Sequence, residues 1–147
     1  MKVIFLGTTG VHHALVAANL YITNDIPHDP SRLPDFADQQ KDHDGSPIFV
    51  GRDEKGNEVY SLGAGRDVLM AKKSIEELIG VLGFYPQDLL VKPIKVRGDI
   101  FFPFINKVST VTSSKGIGKA VARYLASVEM DSIAAQVQGF KDHYQLH

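Results

Sequence analysis

The opening of this chain constrains its fold more than any other stretch. Val3-Ile4-Phe5-Leu6 is apolar at every position and runs straight into Gly7. A short run of that kind, stopped by glycine, reads as a strand buried on both faces. From Val11 to Ile22 the chain is apolar nearly all round, through Ala14, Leu15, Val16, Ala17, Ala18 and Leu20. A helix with no polar face must pack on a sheet and be covered from outside as well. Strand, tight turn and buried helix begin an α/β unit.

The rest of the chain supports the same class. Asp25 to Pro47 carries four prolines (Pro27, Pro30, Pro34 and Pro47) among Asp, Gln and His, and reads as a long polar loop or lid, with a short helix around 35–40. Two strand-like runs, Ile48-Phe49-Val50 and Glu58-Val59-Tyr60-Ser61-Leu62, flank a turn-rich pentad and predict a β-hairpin. Arg66 to Leu82 places Val68, Ala71, Ile75, Leu78, Ile79 and Leu82 on one helical face, and Gly83 and Pro86 end that helix. Leu89-Leu90-Val91 is a further short strand, and 107–112 is rich in β-branched residues. Two C-terminal helices are expected, one capped by Ser113 or Ser114 and one starting at Asp131 or Ser132. The expectation is one α/β domain over residues 1–147, in three layers, with a mostly parallel sheet, a hairpin and flanking helices.

Composition narrows the function classes. The 147 residues are 44% hydrophobic and 22% charged, which excludes a disordered chain. A net charge of -1 gives no basic field for nucleic acid, so none is expected as a partner. With no cysteine there is no disulfide, thiolate metal site or cysteine nucleophile. The apolar start is too short for a signal-peptide core or a membrane span, so a cytoplasmic protein is expected.

The chemistry-bearing stretch is Gly7-Thr8-Thr9-Gly10-Val11-His12-His13-Ala14, between the buried strand and the helix. Free N–H groups and the positive end of the helix dipole make such a turn an anion site. Laid over the Walker-type phosphate loop, Gly7 takes the first glycine. The second glycine, the lysine and the Ser/Thr fall on His12, His13 and Ala14, so the loop is a degenerate one. Without that lysine and hydroxyl, ordinary ATP hydrolysis is not expected, but backbone binding of phosphate survives. His12, placed in the first helical turn, stays neutral against the dipole and can serve as base, acceptor or metal ligand. Arg52 or Arg66 would neutralise the anion's charge.

Three readings follow. The lead is an enzyme or sensor that holds a phosphate-bearing small molecule or nucleotide on residues 8–13, with the 25–47 loop closing over it. It requires an open hollow at the turn, with His12 reachable. The second is a non-catalytic interaction domain, meeting a protein or a second copy of itself through the hairpin or Phe101-Phe102-Pro103-Phe104-Ile105. The third is a metal-dependent hydrolase drawing on His12, His13, His28-Asp29 and Asp42-His43-Asp44, although none has ligand spacing. No cofactor is specified. Ser114-Lys115-Gly116-Ile117-Gly118-Lys119 is a second, weaker phosphate-like turn, and G-x-S-x-G is absent.

Two segments resemble a known family. Gly10-Val11-His12 followed by Val16-Ala17-Ala18 is similar to the Gly-Ala-His-Ser-Ser start of the bacterial domain of unknown function family 3189. Gly51-Arg52-Asp53-Glu54-Lys55-Gly56-Asn57-Glu58-Val59-Tyr60-Ser61-Leu62-Gly63 resembles that family's Gly-Arg-Asp-Glu-x-Gly-Asn-Glu-Val-Tyr-x-Leu-Gly segment. The likeness covers roughly residues 1–95. Where the family often carries a cysteine and a tyrosine, Gly7 and Thr8 stand here, and its two serines become His13 and Ala14. The resemblance implies a bacterial protein, common among spore-forming Gram-positive species, with no assigned reaction. It adds weight to His12, Arg52, Asp53 and Glu58.

Overall fold

The computed structural model describes residues 1–97 and 114–145. The expected Phe101–Ile105 cluster and the strand at 107–112 lie outside them. Four strands form one mixed sheet in the order β2-β3-β1-β4. They are β1 (Lys2–Gly7), β2 (Ile48–Arg52), β3 (Glu58–Gly63) and β4 (Leu89–Pro93). β1 pairs in parallel with β3 and β4, and β2 adds to β3 as the antiparallel arm of the expected hairpin.

Side chains of β1 alternate between the two faces, as a period of two demands. Val3 and Phe5 join the larger core with α1 (His13–Thr23), α4 (Ser114–Tyr124) and α5 (Met130–Gln145). Leu6 faces the other way, into a smaller cluster with Val68, Ala71 and Ile75 of α3 (Val68–Val81). Helices on both faces make the three layers. α5 packs over α1, whose residues Ala14 to Ala18 are buried, and this is why α1 needs no polar face. The aromatic rings of Phe5, Tyr21 and Phe140 tie sheet, α1 and α5 together, with centroids 5.4 to 5.8 Å apart.

Three expectations change. The C-terminal helices do not start separately: a π-helical turn, Leu125–Glu129, joins α4 to α5 without a break. Leu78 and Leu82 are expected in the core but are 55% and 61% exposed; Leu82 borders an open hollow with Met1, Lys2 and Leu89 at the amino ends of the strands rather than packing on the sheet. Finally, the helix in the long loop falls later than expected, as α2 (Gln39–His43), after a 3-10 turn at Pro30–Arg32. Among the described residues no helix is long and apolar enough to cross a membrane.

Gly139 sits in α5 with nothing within 4 Å of the place a Cβ would take. Gly139→Ala removes backbone freedom from the unfolded chain at no steric cost, so it should add ~0.5–1 kcal/mol of stability. Urea denaturation checks this; a lower midpoint would contradict the open placement.

Candidate functional site

The turn between β1 and α1 is closed, not the open hollow that the lead reading requires. Residues Gly7 to Ala14 are all buried, and His12 is 2% exposed. His12 is the N-cap of α1 rather than part of its first turn; its carbonyl takes the first helical bond, from Val16 N–H at 3.0 Å. The carbonyls of the turn are tied to its surroundings. Gly7 O accepts from Ala64 N–H (2.8 Å), Thr8 O from Gly65 N–H (3.1 Å), Gly10 O from the Ser61 hydroxyl (2.8 Å) and Val11 O from Ala37 N–H (3.0 Å).

What plugs the turn is an anion supplied by the chain itself. Asp42, on α2, accepts a 2.7 Å hydrogen bond from Gly10 N–H. Its Oδ1 also lies 2.8 Å from the position a Cβ would take on Gly63. The carboxylate therefore sits between the carboxyl ends of β1 and β3. The helix that follows β1 packs on one face of the sheet and the helix that follows β3 on the other, so this is the switch point of the topology. Open α/β sheets characteristically hold their ligands in that crevice.

The glycines of the turn have local causes. A Cβ on Gly7 would lie 2.5 Å from His13 Nε2, and one on Gly10 would lie 2.9 Å from Gly63 N. Each is required by internal packing, whatever the turn binds.

Both histidines are neutral. Burial pushes His12 down to about 3, helped by the neighbouring His13, and burial alone takes His13 to about 4. His12 Nδ1 shares a 2.7 Å hydrogen bond with the Thr9 hydroxyl, and its ring meets Phe36 edge-on at 5.5 Å. With the hydroxyl donating to Nδ1, the ring proton lies on Nε2. In this form His12 positions Thr9 and is shielded from solvent.

A family model described as "Protein of unknown function (DUF3189)" matches residues 2–142. The chain belongs to that family. The match runs well past the roughly 95 residues over which the family's segments resemble this sequence. No curated protein and no solved structure matches the chain.

In this DUF3189 chain the remaining candidates divide between the two ends of the sheet. Arg52, Asp53 and Glu58 do not join the turn. β2 runs antiparallel to β3, so Arg52 pairs in register with Glu58 at the start of β3, roughly 16 Å from Gly63 at about 3.3 Å per residue. There Glu58 accepts from Lys2 (2.5 Å), Tyr60 (3.0 Å) and Arg52 (3.2 Å), and these bonds hold its carboxyl at about 2. Asp53 builds the hairpin turn, accepting from Lys55 N–H at 2.9 Å and from Asn57 N–H and Nδ2 at 2.8 Å each. Partial burial alone would raise its pKa, but the bonds from Asn57, Lys55 and Tyr21 win and lower it. Arg66 does lie near the turn. It follows Ala64 and Gly65, whose N–H groups bond Gly7 and Thr8, and its side chain is exposed.

The metal reading finds no ligand set: among the described residues no three His, Asp or Glu side chains are grouped to hold an ion. His28 and His43 are exposed. Sequence reasoning missed Ser61 and Gly63 as parts of this site, and named Asp42 only as a candidate metal ligand beside His12 and His13. Gly63 closes the Gly51–Gly63 segment, and a glycine ending a strand is a signal of close backbone approach. Nothing in the sequence pointed to a bond from Asp42 to Gly10, since Asp42 is one acid among several in a polar loop.

Proposed function

We propose that this protein binds a phosphate-bearing small molecule or nucleotide in the crevice between Gly10 and Gly63, in a form where α2 has moved away. The observation that carries the reading is the carboxylate on Gly10 N–H. The crevice accepts a negatively charged oxygen at hydrogen-bonding distance, at the place where sheets of this topology take ligands. A phosphate oxygen has the same charge and bonding needs as the carboxylate oxygen it replaces. Two neutral imidazoles supply no cation, so the ligand's charge falls to backbone N–H groups and to Arg66 at the mouth. His12 has a candidate role as base or acceptor in the opened form alone, and there Phe36, which packs on the main core, must also turn away from its ring.

The test is a melting-temperature screen with inorganic phosphate, pyrophosphate, nucleotides and phosphosugars. A ligand at a hundred times its Kd adds ~2.7 kcal/mol. For a chain of this length that is a rise of about 5 to 10 °C. Arg66→Ala should shrink the rise, and Arg52→Ala should leave it intact. No shift with any of these anions at millimolar concentration rejects the reading.

A further inference from the structure

The segment that bears Asp42 is built in two parts with different holds on the molecule. The inner part, residues 30–37, is anchored: Pro30 is buried, Leu33 and Phe36 pack on the main core, and Ala37 N–H bonds Val11 O. The outer part is α2 with its flanks. It has no buried residue; Asp38 caps it through the N–H groups of Gln40 and Lys41, and an exposed ion pair from Lys41 to Asp35 at 2.7 Å ties it to the anchored part. Left-handed backbone brackets it on either side, at Ala37 (φ 59) and Gly45 (φ 64). Those are two positions where a small rotation swings the helix as a unit, and the alanine holds a conformation that costs energy for any residue with a Cβ. One contact between this outer part and the crevice is Asp42 to Gly10 N–H.

Resting on the reading above, we infer that α2 is a self-inhibitory flap and that Asp42 is an internal competitor for the anion site. Binding then requires the carboxylate to leave, and the apparent affinity is reduced by the fraction of molecules in which it has left. The flap sets the threshold of ligand concentration at which the site responds. Loss of the ligand lets the carboxylate return and satisfy Gly10 N–H, so the crevice never stands with a bare buried donor.

Two substitutions separate the flap from the site. Asp42→Asn keeps a hydrogen-bond acceptor for Gly10 but removes its charge, and a neutral occupant competes less well with an anion. Gly45→Ala leaves carboxylate and crevice untouched; its methyl meets nothing within 4 Å, and it acts only by straining the docked flap at φ 64. Calorimetric titration with inorganic pyrophosphate is the readout. Asp42→Asn is expected to bind about tenfold more tightly than the wild type, and Gly45→Ala about threefold, both folded by circular dichroism. Equal affinity in all three proteins overturns the flap while leaving the site reading intact. Absence of binding in all three overturns both.

Discussion

Lowering the pH from 7 to 5 is expected to strip ~2 kcal/mol of stability for each of His12 and His13. The sign follows from where the protons go. Burial holds the two imidazoles neutral in the folded protein, at about 3 and about 4, against 6.5 in an unfolded chain. Below pH 6.5 the unfolded chain takes up protons that the folded one refuses, so stability is full above 6.5 and falls as the pH drops toward 4. By pH 4 the loss reaches ~3 kcal/mol per histidine, a large share of the ~5–15 kcal/mol that holds a domain together. Glu58 titrates in a separate window, from 4.5 down to about 2, so it does not account for a loss above pH 5. Urea midpoints at pH 7, 6 and 5 measure the effect. His12→Gln, which keeps a polar atom for Thr9 but does not titrate, should remove about half of the slope. A flat stability profile from pH 7 to 5 would mean that the histidines are open to water.

The second large effect belongs to Gly63→Ala. The added methyl would lie 2.7 Å from Gly10 N, 3.2 Å from the Thr9 carbonyl carbon and 2.8 Å from Asp42 Oδ1. Two of these are backbone atoms in a buried turn, so there is no flexible tip to swing aside. The cost should stand at the upper end for overpacking, ~3 kcal/mol, and the substitution also drives Asp42 off Gly10. Gly139→Ala, the same chemical change in open space, should have the opposite sign. Denaturant melts of the pair report the contrast. If Gly63→Ala is neutral, β3 and the turn do not approach as closely as described.

Much of the fold was legible because its signals are local. The apolar runs of β1 and β4, the all-round apolar α1 and the hairpin around Asp53–Asn57 each declare themselves within a few residues. The site was legible only in part. The turn stood out by its glycines, but the reason for each glycine lies elsewhere: His13 across the turn for Gly7, and Gly63 on the neighbouring strand for Gly10. Arg52 was a candidate to neutralise an anion at the turn; only the antiparallel direction of β2 shows that it lies at the opposite end of the sheet. Asp42 was legible only as a candidate metal ligand, and its bond to Gly10 was hidden for a related reason. Its contact with Gly10 spans 32 residues, and a polar loop carries no periodicity from which a long-range bond can be read. The exposed end of α3 taught the reverse lesson, since helical spacing marks an apolar stripe but not the extent of the sheet beneath it.

Amide-resolved NMR during a pyrophosphate titration tests the central claim most directly. The Gly10 N–H signal should move furthest and saturate together with those of Gly63 and residues 38–45, as one anion replaces another and α2 departs. Changes confined to other parts of the surface, with Gly10 and α2 unmoved at saturation, would show that the crevice is a sealed piece of core.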